Sequence, residues 1–262
     1  METEQKIELL YSPAPTKPMN VVAFGSGTGS NLEALIEAQK DLYSIKAIFC
    51  DRKCRCLEIG DHNGIPTIYL SFKRYFKEKG VTDKTDLQTR FSYEDQVIYL
   101  LSQLNVTTDI IFLAGYMRLV HKPLLEAFPN RILNVHPADL TILDEKRHRQ
   151  YVGVDGVSDA LNAGETSTRS SVFIVDDNID TGQLLVLGPS VNYTEGYPLT
   201  EEKIKVHHEK QKQYSDWIAS VEALKLIAEG RIGLNQNGNV VIDNNEGYHI
   251  CAGSSQLLTT NQ

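Results

Sequence analysis

The feature that most constrains this chain is an alternation beginning at Asn20: short apolar runs trade places with segments of helical period, and a glycine-rich turn marks the first junction. Residues 20–24 (NVVAF) form an apolar run of buried-strand type, and residues 25–30 a glycine-rich turn. Asn31 is placed to cap a helix that carries Leu32, Leu35 and Ile36 on one face. Residues 44–50 predict a second strand, and residues 54–61 a helix ending at the Asn63-Gly64 pair. Residues 67–70 predict a third strand. Parallel strands need crossovers long enough to hold a helix, so this βαβαβ pattern predicts an α/β fold: an open, mostly parallel twisted sheet flanked by helices.

The pattern continues with interruptions. Residues 71–90 are polar and charged and read as an irregular excursion. Ser92 with Asp95 three residues later fits a capping box, followed by Val97, Ile98, Leu101 and Leu104. Residues 108–114 predict a strand buried on both faces. A helix over 121–128 then leads into a strand over 131–135, and a charged stretch at 144–150 breaks the rhythm. A helix near 155–163 and strands near 170–175 and 183–187 come next, then a long amphipathic helical region from Thr200 to Glu229. Asn237-Gly238 signals a hairpin in the tail. The expected organisation is an N-terminal arm over 1–18, a catalytic domain over 19–232 and a tail of short strands and loops over 233–262.

Composition removes several classes. A net charge of −8 argues against bulk nucleic-acid binding, and no apolar run approaches the ~18 residues that a membrane helix needs. The opening residues METEQKIELLYSPAP lack a signal-peptide pattern. Four cysteines in 262 residues make no disulfide framework. Cys50, Cys54 and Cys56 lack the paired C-x-x-C spacing of a structural zinc site, so no metal is expected. The expectation is a cytoplasmic protein with small-molecule substrates and no nucleic-acid or membrane partner, monomeric or a homodimer. His207 and His208 are adjacent and so face different ways, as surface or lid residues.

Three segments carry chemistry. In GSGTGSN (25–31), exposed amides at a helix start can hold a phosphate or carboxylate at Gly29, Ser30 and Asn31. A dinucleotide reading also survives, because Asp51 lies about 20 residues on, although Ser30 stands where the third fingerprint glycine belongs. Asn134 and His136 lie at i and i+2 near a strand end, so both side chains share one face. An Asn amide can donate to a developing oxyanion and an imidazole can move a proton. A satisfied turn histidine would look the same. Asp180, in DDNIDTG (176–182), is either an ordinary turn residue or a carboxylate that orients His136.

Taken in order, GSGTGSNLEAL (25–35), FLAGYMRLV (112–120), NVHP (134–137), DDNIDTG (176–182) and LIAEGRI (226–232) resemble the folate-dependent formyltransferase family, over about residues 20–232. The resemblance implies a Rossmann-like formyltransferase fold and an enzyme that transfers the formyl group of 10-formyltetrahydrofolate, its co-substrate, to a primary amine without a metal. It implies glycinamide ribonucleotide of purine synthesis as the acceptor. It implies that Asn134 stabilises the oxyanion, that His136 relays the amine proton and polarises the carbonyl, and that Asp180 pairs with His136 and organises a proton-carrying water. Gly29, Ser30 and Asn31 would cradle the acceptor's phosphate, and Asp216 is the nearest match to the family's acceptor-gripping acid. Met117, Arg118 and Leu119 would line the pterin pocket on one side, and Asp176, Asp177 and Ile179 on the other. Arg90 matches an arginine that contacts anionic ligand groups. The chain departs from the family after NVHP. Its ADLTILDEKRHRQYVG (138–153) is longer and more charged, with Thr141 at an expected proline, and Phe173 replaces a polar histidine.

Other readings of the same residues are a formyltetrahydrofolate hydrolase, a formyltransferase for another amine such as an amino sugar, a nucleotide-dependent oxidoreductase, and a non-catalytic folate-binding protein.

Overall fold

The computed structural model describes residues 6–15 and 17–243, with the strands at 248–250 and 258–259. The chain divides into two compact units. One comprises Pro18–Leu133 with Val175–Asp177, and the other Met1–Lys17, Asn134–Ile174 and Asn178–Gln262.

In chain order, β1 (Glu8–Leu9) belongs to the second unit, and the first unit begins with β2 (Met19–Gly25), α1 (Ser30–Ala38), β3 (Tyr43–Cys50), α2 (Arg55–Asn63) and β4 (Thr67–Tyr69). It continues with α3 (Phe72–Glu78), α4 (Leu87–Ser102), β5 (Ile110–Leu113) and α5 (Lys122–Ala127). Its strands lie in the order β5-β2-β3-β4, all parallel, as the βαβ grammar predicts. Alternation along the strands sends Val22, Phe24, Ala47, Phe49, Ile111 and Leu113 into one buried cluster with Phe72, Phe76, Tyr93 and Val97. The C-cap of α2 is Gly64, at φ 64°, the left-handed conformation that the Asn-Gly pair predicts.

Three expectations fail here. The stretch 71–90 is not wholly irregular. Ser71 caps α3 by accepting from the Arg74 N–H at 3.2 Å, and Phe72 and Phe76, four residues apart, bury one face. The charged residues between them hid that spacing. Nor does Ser92 cap the next helix. Asp86 does so six residues earlier, accepting from the Thr89 N–H at 2.8 Å, while Ser92 sits inside α4 with its hydroxyl 2.7 Å from that of Tyr75. Similarly, the N-cap of α1 is Gly29, at φ 77°, and Asn31 lies in the first turn.

β6 (Ile132–His136) gives its first two residues to the first unit and its last three to the second. The second unit continues with α6 (Gly156–Asn162), β7 (Ser167–Thr168), β8 (Ser171–Ile174), β9 (Leu184–Leu187) and β10 (Val191–Asn192). Then come α7 (Glu201–Gln211), a π-helical turn over Lys212–Asp216, α8 (Trp217–Ala228), β11 (Ile232–Leu234), β12 (Val240–Asp243), β13 (Tyr248–Ile250) and β14 (Leu258–Thr259). Here the strand order is β14-β9-β8-β6, with β8 and β9 antiparallel. α8 packs on β8 and β9. β1 is the edge strand of a small antiparallel sheet with β11, β12 and β13. The predicted hairpin at 237–238 connects β11 and β12, with Gly238 at φ 74°. The rest of the expected tail, Cys251 included, lies outside the described residues. The architecture is thus mixed α/β, sheet flanked by helices.

Candidate active site

The glycine turn and α1 build an anion-ready surface within the first unit. No side chain caps α1, so the orphan N–H groups of its first turn stay directed outward. Gly29 needs its missing side chain twice: its φ is positive, and a Cβ there would stand 2.4 Å from Ile59 Cδ1. Asn31 carries a buried Oδ1 with no protein partner. Arg55 sits at the rim, donating to the Thr28 carbonyl at 3.1 Å while bound bidentately to Glu33 at 2.6 and 2.8 Å.

One buried carboxylate ties this turn to the segment expected to line the pterin. Asp51 accepts from Ser26 Oγ at 2.6 Å and from Arg118 Nε at 2.8 Å, and Ser26 Oγ in turn accepts the Met117 N–H at 3.0 Å. Burial pushes the Asp51 carboxyl up, but hydrogen bonds from Ser26, Arg52 and Arg118 outweigh burial and hold it below the ordinary range. The carboxylate is therefore committed to scaffolding, which removes the acidic residue on which the dinucleotide reading relied. The Arg118 guanidinium lies over the Phe72 ring, 4.3 Å from its centroid. Arg90 donates to the Lys84 carbonyl at 2.7 Å and lies 3.3 Å from His121 Nε2, so part of its fork is also engaged internally. Met117 and Leu119 are not core residues: they stay 55% and 48% exposed. Ile179 is 50% exposed, Asp176 is half-buried and Asp177 exposed. Exposed apolar side chains such as Met117 and Leu119 suit contact with a ligand.

Within the second unit the fold brings His136 and Asp180 together. His136 Nδ1 lies 3.4 Å from Asp180 Oδ2, and Asn134 is half-exposed two residues earlier on the same strand. The other ring nitrogen, Nε2, stands 2.6 Å from the Tyr151 carbonyl oxygen. A carbonyl only accepts, so Nε2 carries a hydrogen. Burial holds the imidazole pKa below its usual value, against the opposing pull of Asp180 and the Tyr151 carbonyl, with Arg149 adding to the depression. The ring is thus neutral near pH 7, with its lone pair on Nδ1. This corrects one expected role. The Nε2–H that would polarise a substrate carbonyl is already donated to Tyr151, and proton acceptance at Nδ1 is the chemistry left.

The charged loop after NVHP holds this pair. Gly153 N–H donates to Asp180 Oδ2 at 2.7 Å. Arg149 clamps the acidic loop, donating to the carbonyls of Asp180 and Gly182, the latter at 2.7 Å. Asp180 itself sits at φ 52°. Gly156, at the start of α6, lets the backbone pass close to the ring: a Cβ there would stand 2.8 Å from His136 Nε2. Gly182 is tighter, with the Ile174 carbonyl oxygen 1.7 Å from its would-be Cβ. Sequence reasoning missed Arg149, Tyr151, Gly153 and Gly156. The usable signal was a glycine pair just after a charged run.

The long helix supplies the remaining support. Its π turn places Asp216 inside, where it accepts from Ser170 Oγ at 2.6 Å. Burial pushes its carboxyl up to about 6. His207 is not a surface residue: it is fully buried, with Nε2 2.8 Å from Thr168 Oγ1. His208, facing another way, is half-buried. Gln211 donates to the Pro137 carbonyl at 2.6 Å, just past the end of β6.

The cysteines also depart from expectation. The sulfurs of Cys50, Cys54 and Cys56 all lie within 4.8 Å of one another, although the linear spacing argued against a cluster. No described helix is long and apolar enough to cross a membrane.

Comparison with known proteins shows the family. The family model described as formyl transferase matches residues 19–218. The trifunctional purine biosynthetic protein adenosine-3 of Bos taurus is 27% identical over 234 residues, which is 88% of this chain and 20% of that protein. This chain therefore spans about a fifth of that relative's length. The crystal structure of phosphoribosylglycinamide formyltransferase from Coxiella burnetii is 28% identical, with a TM-score of 0.65 over 87% of this chain and 94% of that one. The enzyme of the same name from Anaplasma phagocytophilum superposes with a TM-score of 0.68 over 94% of this chain and all of that one; at 21% identity it speaks for the fold.

Proposed function

Because the chain belongs to the formyl transferase family, with residues 19–218 matched, we propose that this enzyme moves the formyl group of 10-formyltetrahydrofolate onto the primary amine of a phosphorylated acceptor, glycinamide ribonucleotide. The observation that carries this reading is the His136–Asp180 pair, with Nε2 committed to Tyr151 and Nδ1 facing the carboxylate at 3.4 Å. The amine nitrogen attacks the formyl carbon. The carbonyl electrons move to oxygen, where the Asn134 amide donates. The nitrogen then sheds a proton, and the Asp180 side chain keeps more exposure than the imidazole, 11% against 4%. The proton thus reaches His136 Nδ1 through the carboxylate or a water that it holds. Asp180 then neutralises the imidazolium. Collapse of the tetrahedral intermediate breaks the bond from carbon to the folate nitrogen, and that nitrogen takes up the proton held by His136, through the same carboxylate or water, which returns the ring to its neutral form.

The acceptor's phosphate is assigned to the uncapped start of α1, at Gly29, Ser30 and Asn31, and the pterin to the backbone and exposed side chains of Met117, Arg118 and Leu119, with Asp176, Asp177 and Ile179. Arg90 is assigned to anionic ligand groups through the part of its fork that remains. Asp216, hydrogen-bonded to Ser170 inside the helix, supports the acceptor side through position rather than exposed charge. The names of the relatives above favour glycinamide ribonucleotide as the acceptor.

The test supplies 10-formyltetrahydrofolate with a panel of phosphorylated and sugar amines and a no-amine control, and follows folate release. Glycinamide ribonucleotide as the sole productive amine supports the reading. Activity restricted to another amine replaces the acceptor, and release without any amine replaces transfer by hydrolysis.

A further inference from the structure

We propose that Cys50, Cys54 and Cys56 form a three-thiolate site for a soft cation of the zinc class, set beneath the glycine turn. The three residues come from one strand-to-helix junction. Cys50 ends β3 and pairs in register with Gly25 at the end of β2, Cys54 is the N-cap of α2, and Cys56 lies in the first turn of that helix. Their sulfurs fall within 4.8 Å of one another. Zinc–sulfur bonds of about 2.3 Å in tetrahedral geometry need sulfurs about 3.8 Å apart, so closing the cluster onto a cation asks for a contraction of about 1 Å or less.

The start of α2 is the feature beside the sulfurs that favours thiolates. α2 opens at the cluster without a side-chain cap, so its first-turn N–H groups and the positive end of its dipole face the sulfurs. The thiols otherwise have weak partners: Cys54 Sγ lies 3.9 Å from the Gly25 carbonyl oxygen and Cys56 Sγ 3.8 Å from that of Gly27. Cys50 and Cys56 are buried, while Cys54 is half-exposed and leaves one open side, where a water or anion completes the coordination. Convergence from a strand end, a cap and a helical turn singles out no pair for a disulfide. The glycine turn also rests on the cluster: a Cβ on Gly25 would stand 2.5 Å from Cys56 Sγ, and one on Gly29 3.3 Å from it. A cation here would pin the turn from below. Ligation leaves each sulfur as a thiolate, so three thiols bind one divalent cation and release three protons, with no change of oxidation state.

The full chain, reduced and stripped with a chelator, is titrated with zinc chloride and, separately, with cobalt(II) chloride as a spectroscopic stand-in. The expected result is one cation per chain, proton release into weak buffer, thiolate-to-cobalt charge-transfer absorption, and protection of three thiols from a thiol reagent. Cys54→Ser, at the half-exposed position, loses stoichiometric binding while its circular dichroism and melting temperature stay those of the metal-stripped parent. Cys251→Ser keeps binding. Failure of the reduced parent to take up either cation overturns the proposal. So does stoichiometric binding retained in Cys54→Ser/Cys56→Ser, or a disulfide among the three in protein that takes up no zinc after reduction.

Discussion

The glycine-turn region and the His136 region solve the same problem by different means. At the turn, the expected ligand groups are backbone amides; of the residues that hold them, Ser26 and Asp51 directly follow β2 and β3, and Arg118 lies in the segment between β5 and α5. At His136, the expected chemistry resides in side chains, and the residues that hold them come from a charged loop outside any motif. Backbone sites are written locally, since a strand, a glycine and a helix suffice. Side-chain sites depend on whatever packs against them.

The largest expected effect tests the side-chain region. Asn134→Ala removes the proposed oxyanion donor and should lower kcat by about 100- to 1,000-fold, or about 2.7–4 kcal/mol, with little change in KM. Steady-state kinetics with saturating folate would show it, and near-normal turnover would remove Asn134 from the mechanism. Arg149→Ala should follow, at about 1.5–3 kcal/mol, since hydrogen bonds from a charged donor to the Asp180 and Gly182 carbonyls are lost. Its signature is a lower kcat together with an altered pH profile.

That profile has a definite sign. Burial lowers the His136 pKa, so the neutral, proton-accepting ring persists below the ordinary histidine value of about 6.5. The acid limb of kcat/KM should therefore lie on the acid side of that value. Arg149 helps depress the ring, so Arg149→Ala moves the limb upward. Asp180 opposes the depression, so Asp180→Asn moves it down. The same shift acts on stability. Between the lowered folded value and the ordinary unfolded one, the unfolded chain binds the extra proton, so stability falls as pH drops through that window and levels off below it.

Gly156→Ala sharpens the comparison from the backbone. Its Cβ would meet His136 Nε2 at 2.8 Å and Ala138 Cβ at 3.0 Å, so the ring or α6 must move. Overpacking of this kind costs about 1–3 kcal/mol of stability. A kcat loss larger than that of an alanine at the exposed and open Gly27 would show that ring position is what matters.

How much of this was legible follows the same division. The parallel βαβ core was readable because alternation and helical period are local signals, and Gly64 and Gly238 take the positive φ that their Asn-Gly pairs predict. α3 was hidden because four charged residues surround Phe72 and Phe76 on a helix of seven residues. His136 and Asp180 were legible as a pair because two motifs carried them. The Tyr151 carbonyl was not, because a backbone oxygen leaves no trace in residue identity. The buried face of His207 was equally hidden, since Thr168 and Glu195, its neighbours, come from other elements. The convergence of Cys50, Cys54 and Cys56 escaped spacing rules because a strand end and a helix cap, rather than a knuckle, bring the sulfurs together.

The smallest effect belongs to the glycine-turn region and asks whether its scaffold is as local as it looks. Ser26→Ala removes the 2.6 Å donation to Asp51 and leaves the Met117 N–H without its 3.0 Å acceptor. A typical net hydrogen bond is worth about 1 kcal/mol, so the loss should be about 1–2 kcal/mol in chemical denaturation. Asp51→Asn removes charge from the same carboxylate while Arg118, 29% exposed, can turn partly to water, which limits its penalty. If Ser26, Asp51 and Arg118 act as one unit, the double variant should cost less than the two single changes added, by about 0.5 kcal/mol or more. The folate KM should rise in all three variants while kcat holds, because Met117 is displaced and the His136 pair is untouched. Strict additivity, or a fall in kcat without a rise in KM, would mean that the turn and the pterin-facing segment are held independently, and that the contrast between a local backbone site and a loop-supported side-chain site is wrong.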